Sequence, residues 1–356
     1  MDDKVSYYSS HSKLSFIGTD GQEKLQQKKA LVIGAGGLGC PCLQSLSGAG
    51  IGTIGIADFD TISISNLHRQ HLYHYHDAGK LKTTVAAEKL SQYNPFIKIQ
   101  THPLMVNESN VLELIGNYDV IVDGTDNFAT RYLINDACVV LNKPLVYGAI
   151  HQTEGHVTVF NYQHSPTLRC LFPKDENETI ASCAEIGAYN IITSIVGTMM
   201  ANEVIKILLN HADVLAGKLL QLDVLSGKML QVKYQPIAES ISKSAERFTQ
   251  SKNNKTISPK VLRERIKCNQ HFHLIDVRET DEHKDFNIGG INIPLQNFLQ
   301  LSNFEFSPTD EIVLYCQKGI RSNQAAEWLT SKGFSNAFSL QGGIDYWQKI
   351  SGSHLT

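Results

Sequence analysis

Residues 31–70 read LVIGAGGLGCPCLQSLSGAGIGTIGIADFDTISISNLHRQ, and this stretch decides the fold. The apolar run 30–35 has the pattern of a buried strand. It breaks into Gly34-x-Gly36-x-x-Gly39, and a helical pattern follows over 38–48. A second strand-like run, 53–58, ends on Asp58. Strand, glycine loop, helix and strand in this order make a βαβ nucleotide-binding unit. The glycines let the backbone approach a phosphate chain, and the helix N-terminus offers N–H groups and partial positive charge. Asp58, about 20 residues on, stands where a carboxylate accepts hydrogen bonds from ribose hydroxyls. This much fits NAD, FAD or ATP equally.

Outward from this unit, strand-like runs at 97–102, 118–123, 144–149 and 155–160 alternate with helical patterns at 81–93 and 130–141. Such alternation predicts an α/β fold, a Rossmann-like and mostly parallel sheet with right-handed crossovers. Residues 160–182 read as a long irregular loop. The apolar-leaning stretch 186–209 contains Asn190, Asn202, Glu203 and Lys206, which suits a buried or interface helix. No segment is expected to span a membrane. Two further strand-like runs flank the turn at 226–228. Residues 235–256 are rich in Ser, Lys and Asn and read as a linker. A second, smaller α/β pattern occupies 257–350, with strands near 273–277 and 311–316 and helices near 321–332 and 345–349. The expected layout is a nucleotide-binding domain over 1–235, a linker over 236–256 and a second domain over 257–356.

A chain of 356 residues can bury two cores. Its net charge of -3 gives no reason to expect nucleic acid or an anionic membrane as partner. The N-terminal residues carry no apolar run of the signal-peptide kind. Seven scattered cysteines, an odd number, suit a reducing cytoplasm better than a disulfide framework.

Charges beyond the second strand separate the nucleotides. Arg69, Lys82 and Asp126 have no role in hydride transfer. They fit ATP with Mg²⁺, because attack on the α-phosphate builds negative charge that cations must offset. Asp126 follows the strand 118–123, at the carboxyl edge of the sheet where ligands bind. With GAGGLG (34–39), DFD and SNLHRQ (58–70), GKLK (79–82), VDGTDNFATRYLIND (122–136) and SCAEIG (182–187), the chain resembles the MoeB/ThiF/HesA family, relatives of ubiquitin-activating enzymes. The resemblance covers about 21–234. It implies activation of the C-terminal glycine of a ubiquitin-like sulfur-carrier protein ending in Gly-Gly, as an acyl-adenylate with release of pyrophosphate. It further implies that Gly34, Gly36, Gly37 and Gly39 line the nucleotide and that Asp58 binds ribose. Asn66, Arg69 and Lys82 would hold the phosphates, Asp126 would ligate Mg²⁺ beside Asn127, and the protein would be a homodimer.

Two features depart from that pattern. Ser10 stands where the family places an arginine that reaches the partner subunit's ATP. Many members also hold structural zinc with two C-x-x-C pairs. Here the corresponding positions are Thr167-Leu168-Arg169-Cys170 and Tyr234-Gln235-Pro236-Ile237. One thiolate cannot make a tetrahedral site, so no zinc is expected. Cys183 ends the irregular loop just before a helix, where thiols become nucleophilic, and is a candidate for a covalent link to the carrier. Cys40 and Cys42 fit packing positions in the first helix. Histidines 68, 71, 74 and 76 follow no known ligand spacing and read as a solvated loop.

Cys316-Gln317-Lys318-Gly319-Ile320-Arg321 follows an apolar strand and opens a helix. Such a loop cradles a sulfur with backbone N–H groups, and Arg321 with the helix dipole would stabilise a thiolate or persulfide. Only four residues separate Cys316 from Arg321, one short of the cysteine-phosphatase spacing. With 274–279 (LIDVRE), 288–295 (IGGINIPL) and 341–347 (QGGIDYW), the segment 257–350 resembles a rhodanese domain. That resemblance implies sulfur carried on Cys316 as a persulfide and received from a donor such as a cysteine desulfurase.

Together the halves predict an adenylyltransferase tethered to a sulfurtransferase that makes a thiocarboxylate, with the linker raising effective concentration. The carrier of molybdopterin synthase is favoured, with a thiamine-pathway carrier as the alternative. An NAD-dependent oxidoreductase and a non-catalytic carrier-binding scaffold are the readings from other classes.

Overall fold

Lys29–Ile33 forms β1, in which Ala30, Leu31, Val32 and Ile33 are all buried. Burial on both faces marks an interior parallel strand covered by helices on each side. The computed structural model describes residues 3–173, 187–250, 255–268, 270–301 and 306–352. The chain divides into two compact units, Met1–Arg247 and Phe248–Thr356.

In the first unit, β1 pairs in parallel with β2 (Thr53–Ala57) on one side and β4 (Val120–Asp123) on the other. β3 (Lys98–His102) and β5 (Leu145–His151) extend the parallel part outward. The full order is β3-β2-β1-β4-β5-β6-β7-β8. The chain winds outward from β1 to β3 and then returns to β4, so a crevice opens between the ends of β1 and β4.

The run near 155–160, expected to continue the parallel alternation, differs. β6 (Glu154–Phe160) pairs antiparallel with β5, because only Gln152 and Thr153 connect them and a parallel crossover needs a far longer connection. β7 (Lys218–Asp223) and β8 (Lys228–Lys233) complete this antiparallel end.

Helix Asn190–Leu209 packs on the sheet and against helix Gly39–Ala49. At 20 residues it reaches the length of a bilayer span, contrary to expectation. Ile192, Val196, Met200, Val204 and Ile207 are nevertheless buried in the core.

The expected linker also differs. Ala238–Gln250 is a helix. Ser240 and Ser244, one turn apart, are buried on it; Ser240 Oγ donates to the Arg169 carbonyl, and Asn135 Nδ2 donates to Ser244 Oγ. Arg247 pairs with Glu108 and Asp136. Small hydroxyl side chains allowed close approach where their polarity suggested solvent.

The second unit is a five-stranded parallel sheet in the order β11-β10-β12-β13-β9. Its strands are β9 (Lys255–Ile257), β10 (His273–Asp276), β11 (Ile291–Asn292), β12 (Ile312–Tyr315) and β13 (Ala337–Leu340). β12 is buried throughout and leads directly into Cys316.

Candidate active site

The glycine loop leaves β1 at the crevice, and its contacts gather most of the expected residues. Gly39 opens its helix so close to the loop that a Cβ on it would lie 1.9 Å from the Gly34 carbonyl oxygen. Gly34, at φ +94°, likewise abuts the Gly124 carbonyl in the loop after β4, where a Cβ would lie 2.7 Å away. The loops after β1 and β4 are therefore in contact, which brings Asp126 to the same edge as the glycines.

Asp58 follows β2 and is buried. Its carboxylate accepts from the backbone N–H of Ala35 at 2.7 Å and of Asp60 at 2.8 Å. Burial pushes its pKa up, opposed by Lys82 and the Ala35 N–H. Lys82 is itself only 5% exposed, with its ammonium 3.1 Å from Asp60 and 4.0 Å from Asp58. A buried ammonium between two carboxylates is a paired charge that incoming phosphates could redirect. Asn66 Oδ1 accepts from the Arg69 guanidinium at 2.8 Å, and Arg69 Cδ lies 3.6 Å from where a Cβ on Gly37 would stand.

Gln70 was not singled out from the sequence. It is 3% exposed, its Oε1 has no hydrogen-bond partner, and its Nε2 lies 3.6 Å from the Cβ position of Gly36. A buried orphan beside an open glycine fits a ligand better than it fits packing. Arg131 was also missed. It is buried below the β4 loop and donates to the Tyr147 hydroxyl at 2.6 Å and the Thr125 carbonyl at 2.6 Å. Asp123, fully buried, has one oxygen on Thr125 and the other without a partner, and burial raises its pKa. This network sets the loop that presents Asp126, which is exposed. Asn127 Oδ1 accepts from the Thr130 N–H at 2.9 Å, so Asn127 serves first as a helix cap.

Among the other singled-out residues, Cys40 and Cys42 are fully buried, and burial pushes the Cys40 thiol up to about 12. Histidines 68, 71, 74 and 76 are all exposed. Among the described residues, His74, His76 and Asp77 bring ligand atoms together, but Asp77 is engaged by Lys80 and Lys89. Cys170 is buried, and its sulfur accepts the N–H of Ile237 at 3.3 Å. The segment where a second cysteine pair would stand thus meets Cys170 through backbone, a donor set that does not fit tetrahedral zinc. Cys183 lies outside the described residues.

In the second unit, Cys316 is buried at the end of β12. Its sulfur accepts from the N–H of Gly319 at 3.1 Å and Ser322 at 3.4 Å, and from Ser322 Oγ at 3.5 Å. These donors start helix Ile320–Ser331. Gly343, at φ +60°, lets helix Gly343–Gly352 begin against the loop, since a Cβ there would lie 2.3 Å from the Cys316 carbonyl oxygen. Below the loop, Asp276 and Arg278 form a buried ion pair at 2.8 Å, and Arg278 Nη1 donates to Gln317 Oε1 at 3.0 Å. Gln317 in turn donates to Asp345. Arg321, expected to serve the sulfur, instead makes a two-pronged ion pair with Glu282 at 2.6 and 2.7 Å.

These features define a nucleotide-binding α/β unit joined to a cysteine-loop sulfur-transfer unit. Comparison with known proteins agrees. The ThiF family profile matches residues 8–242, and the rhodanese-like domain profile matches 258–350. The probable adenylyltransferase/sulfurtransferase MoeZ of Mycobacterium tuberculosis is 38% identical, over 98% of this chain and 93% of its own. The adenylyltransferase and sulfurtransferase MOCS3 of Anopheles gambiae is 35% identical, over 98% and 87%. Among solved structures, E. coli MccB with ATP superposes with a TM-score of 0.58 over 67% of this chain and 73% of that one, at 22% identity, a likeness of fold. The chain belongs to the ThiF family and carries a C-terminal rhodanese-like domain.

Proposed function

We propose that this enzyme uses ATP to adenylate the C-terminal glycine of a ubiquitin-like sulfur carrier and then converts it to a thiocarboxylate with sulfur held on Cys316. The observation that carries the first half is the single crevice in which the glycine loop, Asp58, Lys82, Arg69 and the Asp126 loop touch. The carrier's carboxylate attacks the α-phosphorus, pyrophosphate leaves, and Arg69 and Lys82 offset the charge that develops. Asp126 would hold Mg²⁺, which when bound neutralises phosphate charge. Ser10 is exposed on helix Ser9–Ser12 and supplies no cation, so the phosphate charge falls to Arg69 and Lys82. In the second half, the outer sulfur of the Cys316 persulfide attacks the acyl carbon and AMP leaves. A second thiol then attacks Sγ of Cys316 and releases the thiocarboxylate; Cys183 is our candidate.

The molybdopterin-synthase carrier is the favoured substrate, since a relative named probable molybdopterin-synthase adenylyltransferase from Porphyra purpurea is 33% identical over 99% of this chain. A homodimer is supported by Ile191 and Ile195, exposed one turn apart on helix Asn190–Leu209. We propose no structural zinc, because the Cys170 thiol faces backbone. The test of the adenylation half is pyrophosphate exchange into ATP with a carrier ending in Gly-Gly. Exchange that requires both carrier and Mg²⁺ is expected. No exchange, together with tight binding of NADH, would overturn it.

A further inference from the structure

Glu282, in helix Thr280–Asp285, has no part in the sulfur chemistry described above, yet it holds the one loop guanidinium that could meet an anionic sulfur donor. Both of its oxygens are used, each on a separate nitrogen of Arg321, the geometry in which carboxylate and guanidinium bind most strongly. Arg321 draws its carboxyl down to about 2, so the pair is intact at any physiological pH. The surroundings add more negative charge. Glu279 also acts on Arg321, Asp345 accepts from Gln317, and Glu282 and Asp285 line a pocket of about 240 Å³ with Gln317 and Arg278. Arg278 is committed to Asp276. Lys318, on the loop itself, is exposed to water.

Two classes of donor can load Cys316. A small dianion such as thiosulfate gives up its outer sulfur to the Cys316 thiolate; the new S–S bond forms as the old one breaks, and sulfite leaves with the electron pair. Its sulfonate must be neutralised while bound. A protein-borne persulfide, R–S–SH, transfers its outer sulfur in the same way and releases RS⁻. Its charge is managed by the donor protein, and docking supplies its binding energy.

We propose that Glu282 is a specificity-determining residue of the sulfur-transfer site: by engaging Arg321 it excludes small dianionic donors and reserves Cys316 for sulfur delivered from a persulfide on another protein. This rests on the sulfur-transfer reading of Cys316 and names its donor class.

The test uses the full chain, cyanide as final acceptor, and two donors: thiosulfate, and a cysteine desulfurase turning over L-cysteine. Glu282→Gln should raise kcat/KM for thiosulfate by about tenfold or more, through a lower KM, because it frees Arg321 and removes a repelling charge. The desulfurase-fed rate should stay within about threefold. Glu282→Asp, which keeps the charge, should remain as restrictive as the parent. In the double variant E282Q/R321Q the gain should vanish. An unchanged donor ratio in E282Q overturns the proposal, as does E282D becoming as permissive as E282Q. Turnover of either donor by C316S would instead overturn the sulfur-transfer reading itself.

Discussion

Replacing Cys316 by serine is expected to reduce sulfur transfer by about 10³-fold or more while leaving carrier-dependent pyrophosphate exchange within about twofold of the parent. Three donors converge on the Cys316 sulfur, from Gly319 N, Ser322 N and Ser322 Oγ. A serine oxygen could accept the same hydrogen bonds, so the loop should keep its shape. What is lost is the ability to carry a sulfane sulfur, because a hydroxyl forms no persulfide. The buried position of Cys316 sharpens the point. A persulfide adds one S–S bond, about 2 Å, and places the reactive sulfur beyond the buried Sγ. Thiocyanate production measures the loss, and exchange measured on the same preparation shows that the first unit still works. Sulfur transfer that survives in C316S would mean that another thiol carries the sulfur.

The second large effect is expected at Asp126. Asp126→Ala should lower pyrophosphate exchange by about 10²–10³-fold with little change in melting temperature. Asp126 is exposed, so its removal leaves no buried partner unsatisfied. The loop is held by other groups: Asp123 on Thr125, and Arg131 on the Thr125 carbonyl and the Tyr147 hydroxyl. Sulfur loading of Cys316 should be untouched. A titration of Mg²⁺ against exchange rate, parent beside variant, separates metal binding from a general loss. Full exchange in D126A would remove Asp126 from the chemistry and favour a scaffold that binds the carrier without activating it.

The parts of this molecule readable from sequence are those in which spacing and chemistry coincide. Gly34, Gly36 and Gly39 precede a helix, and Asp58 ends the next strand; the structure puts the Asp58 carboxylate on the backbone of that same loop. Cys316 was legible because an apolar strand ran directly into it. Features built from distant residues were not legible. Glu282 and Arg321 are 39 residues apart, and nothing in either neighbourhood announces the pair. Gln70 stands out only once its oxygen is seen buried without a partner.

Two misreadings have physical causes. The hairpin at Gln152-Thr153 lacks a glycine, and Gln152 itself takes the left-handed conformation at φ +53°, so the turn gave no signal against a parallel crossover. The segment 236–256 was judged by its polarity. Half of it is the helix Ala238–Gln250, in which Ser240 and Ser244 hydrogen-bond inward and Arg247 reaches Glu108 and Asp136. Composition reports average exposure. It does not report which hydroxyls find partners. Arg321 is a third case, correctly placed at the sulfur loop but held by a carboxylate from another helix.

The intact mass of the carrier tests the central claim most directly. A carrier ending in Gly-Gly is incubated with the full chain, ATP, Mg²⁺, L-cysteine and a cysteine desulfurase, and its mass is read before and after. The expected result is exchange of one carboxylate oxygen for sulfur, dependent on ATP and absent with C316S. A carrier that remains a carboxylate while ATP is converted to AMP and pyrophosphate, or one that gains sulfur without ATP, would contradict it.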